Sequence, residues 1–273
     1  MPNPDTITVQ QLSRLIGTPE APIIIDVRTD EDFDRDPRRL PASLRGDHRT
    51  VANWAATHAG QSSVVVCQRG LKLSQGVAAW IRLKGGRAEV LEGGFEAWAN
   101  AKDAPLVLPD HLPPRNAEGR TVWVTRARPK IDRVACPWLI RRFIDPGAAF
   151  LFVAPSEVSA VAERFGATPF DIEGVFWSHR GPLCTFDVMI AEFGLRSEAL
   201  LRLGLIVRGA DTASLDLAPE AAGLLAASLG LSRMFRDDLA QLDAAMPLYD
   251  AFFRWARDAT AETHNWPNPG ARA

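Results

Sequence analysis

Val64-Val65-Val66-Cys67-Gln68-Arg69-Gly70-Leu71-Lys72-Leu73 is the stretch that decides the fold. The valines read as a buried strand, Cys67 to Lys72 as a tight loop, and Ser74 to Leu83 as a helix. Ile23-Ile24-Ile25 upstream and Ala88-Glu89-Val90-Leu91 downstream read as further buried strands. Strands alternating with helices imply a mainly parallel sheet covered on both faces, so the N-terminal half is α/β. Ahead of these strands, Thr8 followed by Gln11 is a capping-box signature for a helix to about Ile16, and Gly17 supplies a left-handed stop.

Cys67 ends its strand at the carboxyl edge of a parallel sheet, where open α/β sheets bind ligands. Successive N–H groups in the loop and the positive end of the following helix favour an anion at the loop centre, and the same field stabilises a thiolate. Arg69 and Lys72 can add to that field and attract an anionic sulfur donor, while Gly70 lets backbone approach the sulfur. The alternative from strand and loop alone is a small core cysteine at a strand end.

Composition bounds the rest. With 273 residues, 47% hydrophobic and 23% charged, the chain has room for two globular domains. A formal net charge of -2 gives no bulk electrostatic case for nucleic acid or membrane as partners, so any anion site has to come from local cations. No apolar run approaches the roughly 20 residues of a membrane span. The start Met1-Pro2-Asn3-Pro4-Asp5 lacks the pattern of a signal peptide, so the expected compartment is the cytoplasm. Cys67, Cys136 and Cys184 are too few and too scattered for a disulfide framework.

Asp26-Val27-Arg28 closes the early strand, Cys67 to Lys72 forms a six-residue loop, and Glu92-Gly93-Gly94-Phe95-Glu96-Ala97-Trp98 follows the last strand. In this order the three motifs resemble those of the rhodanese family, over residues 6 to 100. The resemblance implies a rhodanese-like parallel sheet and sulfur transfer through a persulfide on Cys67, with Gln68, Arg69, Gly70, Leu71 and Lys72 cradling the donor and no cofactor needed. The partners are then a small-molecule sulfur donor and a thiol or cyanide acceptor. Asp26 and Arg28 fit either a supporting role or a structural pair. Arg39-Leu40-Pro41-Ala42-Ser43 departs from the His-Ile-x-Gly-Ala stretch usual in the family, a mainly structural segment. Loops one residue longer suit phosphatase or arsenate reductase chemistry in relatives of this fold; the short loop here argues against it.

Four prolines between Asn100 and Gly119 mark the best boundary, so the expected division is residues 1–104, a proline-rich linker at 105–120, and 121–273. Downstream, 121–125 and 150–153 read as strands, and 156–165, 185–193, 197–209, 219–229 and 236–257 as helices, a mostly helical α+β domain. Pro219 suits a first helical turn, whereas Pro137 and Pro247 should kink or restart their helices. Trp80, Trp98 and Cys136 read as core, and His264 as exposed.

Trp123-Val124-Thr125-Arg126, Lys130-Ile131-Asp132-Arg133, Pro137 to Asp145, Ser178-His179-Arg180-Gly181, Cys184-Thr185-Phe186-Asp187 and Ile206 to Asp211 together resemble the C-terminal domain of chromate-resistance proteins, over residues 120 to 257. In the family's regulator this domain follows a winged-helix-like DNA-binding segment. Here a rhodanese-like half stands in that place, which weighs against transcriptional control. Two clusters could hold chemistry. Arg126, Arg128, Lys130, Arg133, Arg141 and Arg142 could fork around a doubly charged oxyanion such as chromate, or could form a solvated helix face. His179, Cys184, Asp187 and Asp211 could bind zinc or iron. Alternatively Asp187 answers the dipole of a helix that Thr185 caps, and His179 is a loop histidine. The combined expectation is a sulfurtransferase linked to chromate resistance; the rival is a non-catalytic sensor of oxidants or oxyanions.

Overall fold

The structure is a computed structural model that describes residues 5–262; His264 lies outside the described residues. The N-terminal half is a five-stranded parallel sheet in the order β1-β5-β4-β2-β3. Its strands are β1 (Thr6–Ile7), β2 (Ile23–Asp26), β3 (Leu44–Arg45), β4 (Ser62–Val66) and β5 (Arg87–Leu91). They alternate with α1 (Val9–Leu15), α2 (Asp30–Arg35), α3 (Val51–Trp54), α4 (Lys72–Leu83) and α5 (Gly94–Ala99). Central β4 pairs with β2 (Ile25 opposite Val65) and with β5 (Val65 opposite Val90), which buries its valines on both faces and explains the unbroken apolar run. The edge strands β1 and β3 have two residues each and carry no apolar run, so the sequence gives no sign of them.

The capping box of α1 forms as expected: the Gln11 amide donates to the Thr8 hydroxyl, and the Thr8 amide to the Gln11 side chain. Gly17 follows with φ +77°, and a Cβ there would meet the Phe143 and Phe253 rings of the C-terminal half at 2.4 and 2.7 Å. Glycine at this position thus serves the packing of the two halves as well as the stop.

The C-terminal half has a three-stranded parallel sheet in the order β7-β6-β8, from β6 (Val122–Arg126), β7 (Ala149–Val153) and β8 (Thr168–Pro169). Helices α6 (Asp132–Leu139), α7 (Val158–Phe165), α8 (Thr185–Glu192), α9 (Glu198–Asp211), α10 (Ala221–Met234) and α11 (Asp238–Asp258) make up most of the rest. Pro137 lies inside α6, which gives way to a wide π turn at Ile140–Ile144 closed by the Asp145 amide on the Ile140 carbonyl. Pro247, by contrast, neither breaks nor restarts α11, because Leu242, Ala245, Met246, Tyr249 and Phe253 bury one face of the helix on both sides of it. Pro219 lies ahead of α10 rather than in its first turn. Trp98 is fully buried, whereas Trp80 is 38% exposed on the outer face of α4 and is not core.

The proline-rich stretch is tied to both halves by its first residues. Pro105 accepts from the Trp98 indole, Val107 forms an antiparallel bridge with Arg39, and the Leu108 amide donates to Phe193. One hydrophobic cluster runs from Leu12, Ile16 and Trp98 through Val107 to Trp138, Phe143 and Phe253, so the two halves share a core.

Candidate active site

Cys67 leaves the end of β4 and sits 5% exposed beneath the loop. Its sulfur lies 3.1 Å from the Ser74 hydroxyl, which also lies 3.1 Å from the Leu71 carbonyl. A hydroxyl has one proton, so Ser74 can serve the carbonyl while Cys67 is a thiol and turn to the sulfur when it ionises. Burial raises the thiol's pKa, but the Ser74 hydroxyl and the amides of Ser74, Arg69 and Leu71 outweigh it and hold Cys67 below its ordinary 9.0.

The first two carbonyls of the loop face away from the sulfur. The Phe95 amide donates to Cys67 and the Glu96 amide to Gln68, which locks the closing motif under the loop. Gly70 (φ +69°) and Gly94 (φ +62°) make this approach feasible: a Cβ at Gly70 would lie 2.4 Å from the Leu91 carbonyl oxygen, and one at Gly94 2.3 Å from that of Cys67.

The side chains of the loop are placed differently. Arg69 is 71% exposed and paired to Glu96 at 3.3 Å, and Gln68 donates to the same carboxylate. Lys72 is exposed as the first residue of α4, and Leu71 is 57% exposed at the rim. The local field on the sulfur therefore comes from backbone N–H groups and Ser74, a residue the sequence reading used only as a helix start. Asp26 and Arg28 form a buried pair at 2.7 Å. Arg28 also donates to the Asp36 and Arg38 carbonyls and stacks on Phe95 at 3.8 Å, so the pair holds α2 and α5 against the sheet.

In the C-terminal half the arginines are not gathered into one basic face; each takes an acceptor from a distant segment. Arg126 and Arg133 both reach Asp171 at 3.3 Å, Arg128 pairs with Asp238, Arg141 with Asp243 and Arg142 with Asp250. Lys130 is half-buried beside them in the chain.

His179 and Asp211 come together, but with Asp132 and Asp171 rather than with Cys184 and Asp187. The His179 Nε2 lies 3.4 Å from Asp132, 3.4 Å from Asp171 and 3.2 Å from Asp211. One ligand atom each from Asp132, His179 and Asp211 falls within 4.8 Å of the others, close enough to share an ion. Asp132, fully buried, accepts from the Thr185 and Phe186 amides at the start of α8, and the Thr185 hydroxyl donates to Asp171. The N-cap of α8 is therefore Cys184 and not Thr185, with Asp187 returning to the Cys184 amide in a capping box. Burial pushes the Cys184 thiol far up, as it does that of the fully buried Cys136, so neither is a thiolate. The Asp132 hydrogen bond outweighs burial and raises His179 to about 9; burial, then the Asp132 charge, raises Asp211 to about 7.

Residues 8–101 match the family model of the rhodanese-like domain, and residues 123–256 that of the C-terminal domain of ChrB. Among curated proteins, Protein ChrB of Cupriavidus metallidurans is 37% identical over 141 residues, 51% of this chain and 42% of that protein. The match thus spans less than half of that relative's length. Among solved structures, a rhodanese-like domain protein from Staphylococcus aureus is 25% identical with a TM-score of 0.31, covering 34% of this chain and 90% of its own. SSP1007 from Staphylococcus saprophyticus is 23% identical with the same TM-score, covering 34% and 92%. No described helix is long and apolar enough to cross a membrane. The chain carries a rhodanese-like domain followed by a ChrB C-terminal domain.

Proposed function

We propose that this chain is a thiosulfate-type sulfurtransferase that carries sulfane sulfur as a persulfide on Cys67, acting in tolerance of chromate. The observation that carries this reading is the set of N–H groups from Arg69, Leu71 and Ser74, with the Ser74 hydroxyl, on the Cys67 sulfur. The Cys67 thiolate attacks the outer sulfur of thiosulfate; the donor's S–S bond breaks and sulfite leaves with its electron pair. The terminal sulfur of the resulting persulfide carries the negative charge and stays within reach of the loop amides. An acceptor thiolate or cyanide then takes that sulfur and returns the Cys67 thiolate. No cofactor enters either step, and the cytoplasm, where thiols stay reduced, suits both. Chromate enters the reading through the resemblance of the second domain to ChrB. The test is thiocyanate production from thiosulfate and cyanide: wild type turns over and Cys67→Ser does not. A wild type no better than Cys67→Ser would leave Cys67 as a sensor of oxidants.

A second reading concerns the other cluster, and the convergence of three carboxylates on one imidazole favours it. It is a divalent zinc or iron ion held by Asp132, His179 and Asp211. Protein purified without chelator then contains metal that His179→Ala lacks; equal metal in both contradicts the reading.

A further inference from the structure

A cavity of about 370 Å³ lies where the two halves meet, lined by Arg39, Ala42 and Ser43 from one side and by Arg115, Thr121 and Phe143 from the other. Its chemistry is unbalanced. Arg115, the other arginine of the lining, takes Asp145 at 3.2 Å, and the arginines near Arg39 each have a carboxylate: Arg28 and Arg45 take Asp26 and Arg38 takes Asp36. Arg39 enters no ion pair among the described residues, and its Nε is buried without a hydrogen-bond partner. Nor is this for want of order. The backbone of Arg39 is fixed to Val107 by hydrogen bonds of 3.1 and 2.8 Å, and its guanidinium lies 5.2 Å from the Phe33 ring. On the same wall Ser43, 4% exposed, has a buried hydroxyl that also lacks a partner.

A half-buried guanidinium with no carboxylate in contact costs free energy, and so does a buried hydroxyl with no partner; a single anion would satisfy both. No carboxylate among the described residues lines the cavity, and Asp145, which pairs with Arg115 beside it, does not fill this role. Its oxygens are taken by the Thr121 amide and hydroxyl, the Gly147 amide and Arg115. Burial first, and then the charge of Arg115, push the Arg39 guanidinium below its ordinary value, and the charge of Asp26, already shared by Arg28 and Arg45, offsets this only in part. Arg39 and Ser43 also bound the segment in which this chain departs from the rhodanese pattern.

We propose that the cavity between the two halves binds a small, doubly charged tetrahedral oxyanion, held by the Arg39 guanidinium, the Ser43 hydroxyl and the free donors of Arg115. Sulfate, phosphate and chromate share this chemistry. Because one wall belongs to each half, the bound oxyanion bridges the two halves beside their shared core. The site is separate from Cys67 and does not depend on sulfur transfer.

The test is calorimetric titration of the full chain carrying Cys67→Ser, which removes the reactive thiol, with sodium sulfate, phosphate or chromate against sodium chloride of matched ionic strength. Saturable binding of at least one oxyanion is expected, at least tenfold weaker in Arg39→Gln and several-fold weaker in Ser43→Ala. Heats no different from chloride, or equal affinity in Arg39→Gln, overturn the proposal. Thermal melting separates a binding role from a structural one. In chloride alone Arg39→Gln should melt no lower than its parent, because it loses an unpaired charge, and only the parent should gain stability with the oxyanion. A variant that melts lower in chloride would make Arg39 a structural residue and also overturn the proposal.

Discussion

At the scale of single residues, the chemistry of Cys67 turns on what its sulfur can accept. A hydrogen bond to a charged group contributes about 1.5 kcal/mol or more, roughly a factor of ten in an ionisation constant. Ser74→Ala should therefore slow alkylation of Cys67 at neutral pH by about tenfold, read as a shift of the pH–rate profile to higher pH. An unchanged profile would show that the amides alone set the thiolate. Gly94→Ala tests the backbone beneath the loop. With φ +62° and a Cβ 2.3 Å from the Cys67 carbonyl oxygen, it should cost about 2 kcal/mol or more in urea unfolding and lower sulfur transfer with it. A midpoint equal to wild type would contradict the close approach. Much of this was legible in the sequence, because a strand, a glycine-bearing loop and a helix in immediate succession fix where the sulfur and the amides lie. The role of Ser74 was not, since the helix pattern places its Cα without saying that its hydroxyl turns back to the sulfur.

At the scale of elements, the start of α8 organises the second cluster. Its first amides bind Asp132, and His179 and Asp211 close over that carboxylate. The sequence offered His179 and Asp211 but grouped them with Cys184 and Asp187, which are near in the chain and engaged with each other in the cap. Asp132, quoted only as part of a family-like stretch, and Asp171 were not placed in the cluster, because nothing local marks a buried carboxylate whose partners lie in other segments. The arginines show the same limit: of six cations close in sequence, the five arginines are taken up by later acids, Arg126 and Arg133 together by Asp171 and the others by Asp238, Asp243 and Asp250.

The cluster has a signature in pH. His179, raised from 6.5 to about 9, contributes stability that is complete below pH 6.5 and is lost as pH rises through 9. Asp211, raised from 3.8 to about 7, keeps its proton longer in the folded state, so stability also falls as pH rises between those values. In protein stripped of metal by chelator, the Tm of wild type should therefore decline between pH 6.5 and 9 more steeply than that of His179→Gln. Parallel curves would mean that the imidazole carries no such linkage.

At the scale of the whole molecule, the proline-rich stretch looks in sequence like a spacer, yet it is hydrogen-bonded to both halves and lies over a continuous apolar core. Composition reports the lack of helix or strand in such a stretch, not what packs against it. Val107 supplies the contact from near the start of the segment, and Gly17 admits the Phe143 and Phe253 rings. With a shared core the two halves should unfold together, so calorimetry is expected to record a single transition whose calorimetric and van't Hoff enthalpies agree. Two separated transitions would contradict the shared core.

Sulfur carried on Cys67 would be visible in the intact mass of the protein after incubation with thiosulfate. Wild type should gain the mass of one sulfur atom, lose it on addition of cyanide, and show neither change as Cys67→Ser. A wild-type mass that does not move with thiosulfate, or an equal gain in Cys67→Ser, would mean that Cys67 is not the sulfur carrier.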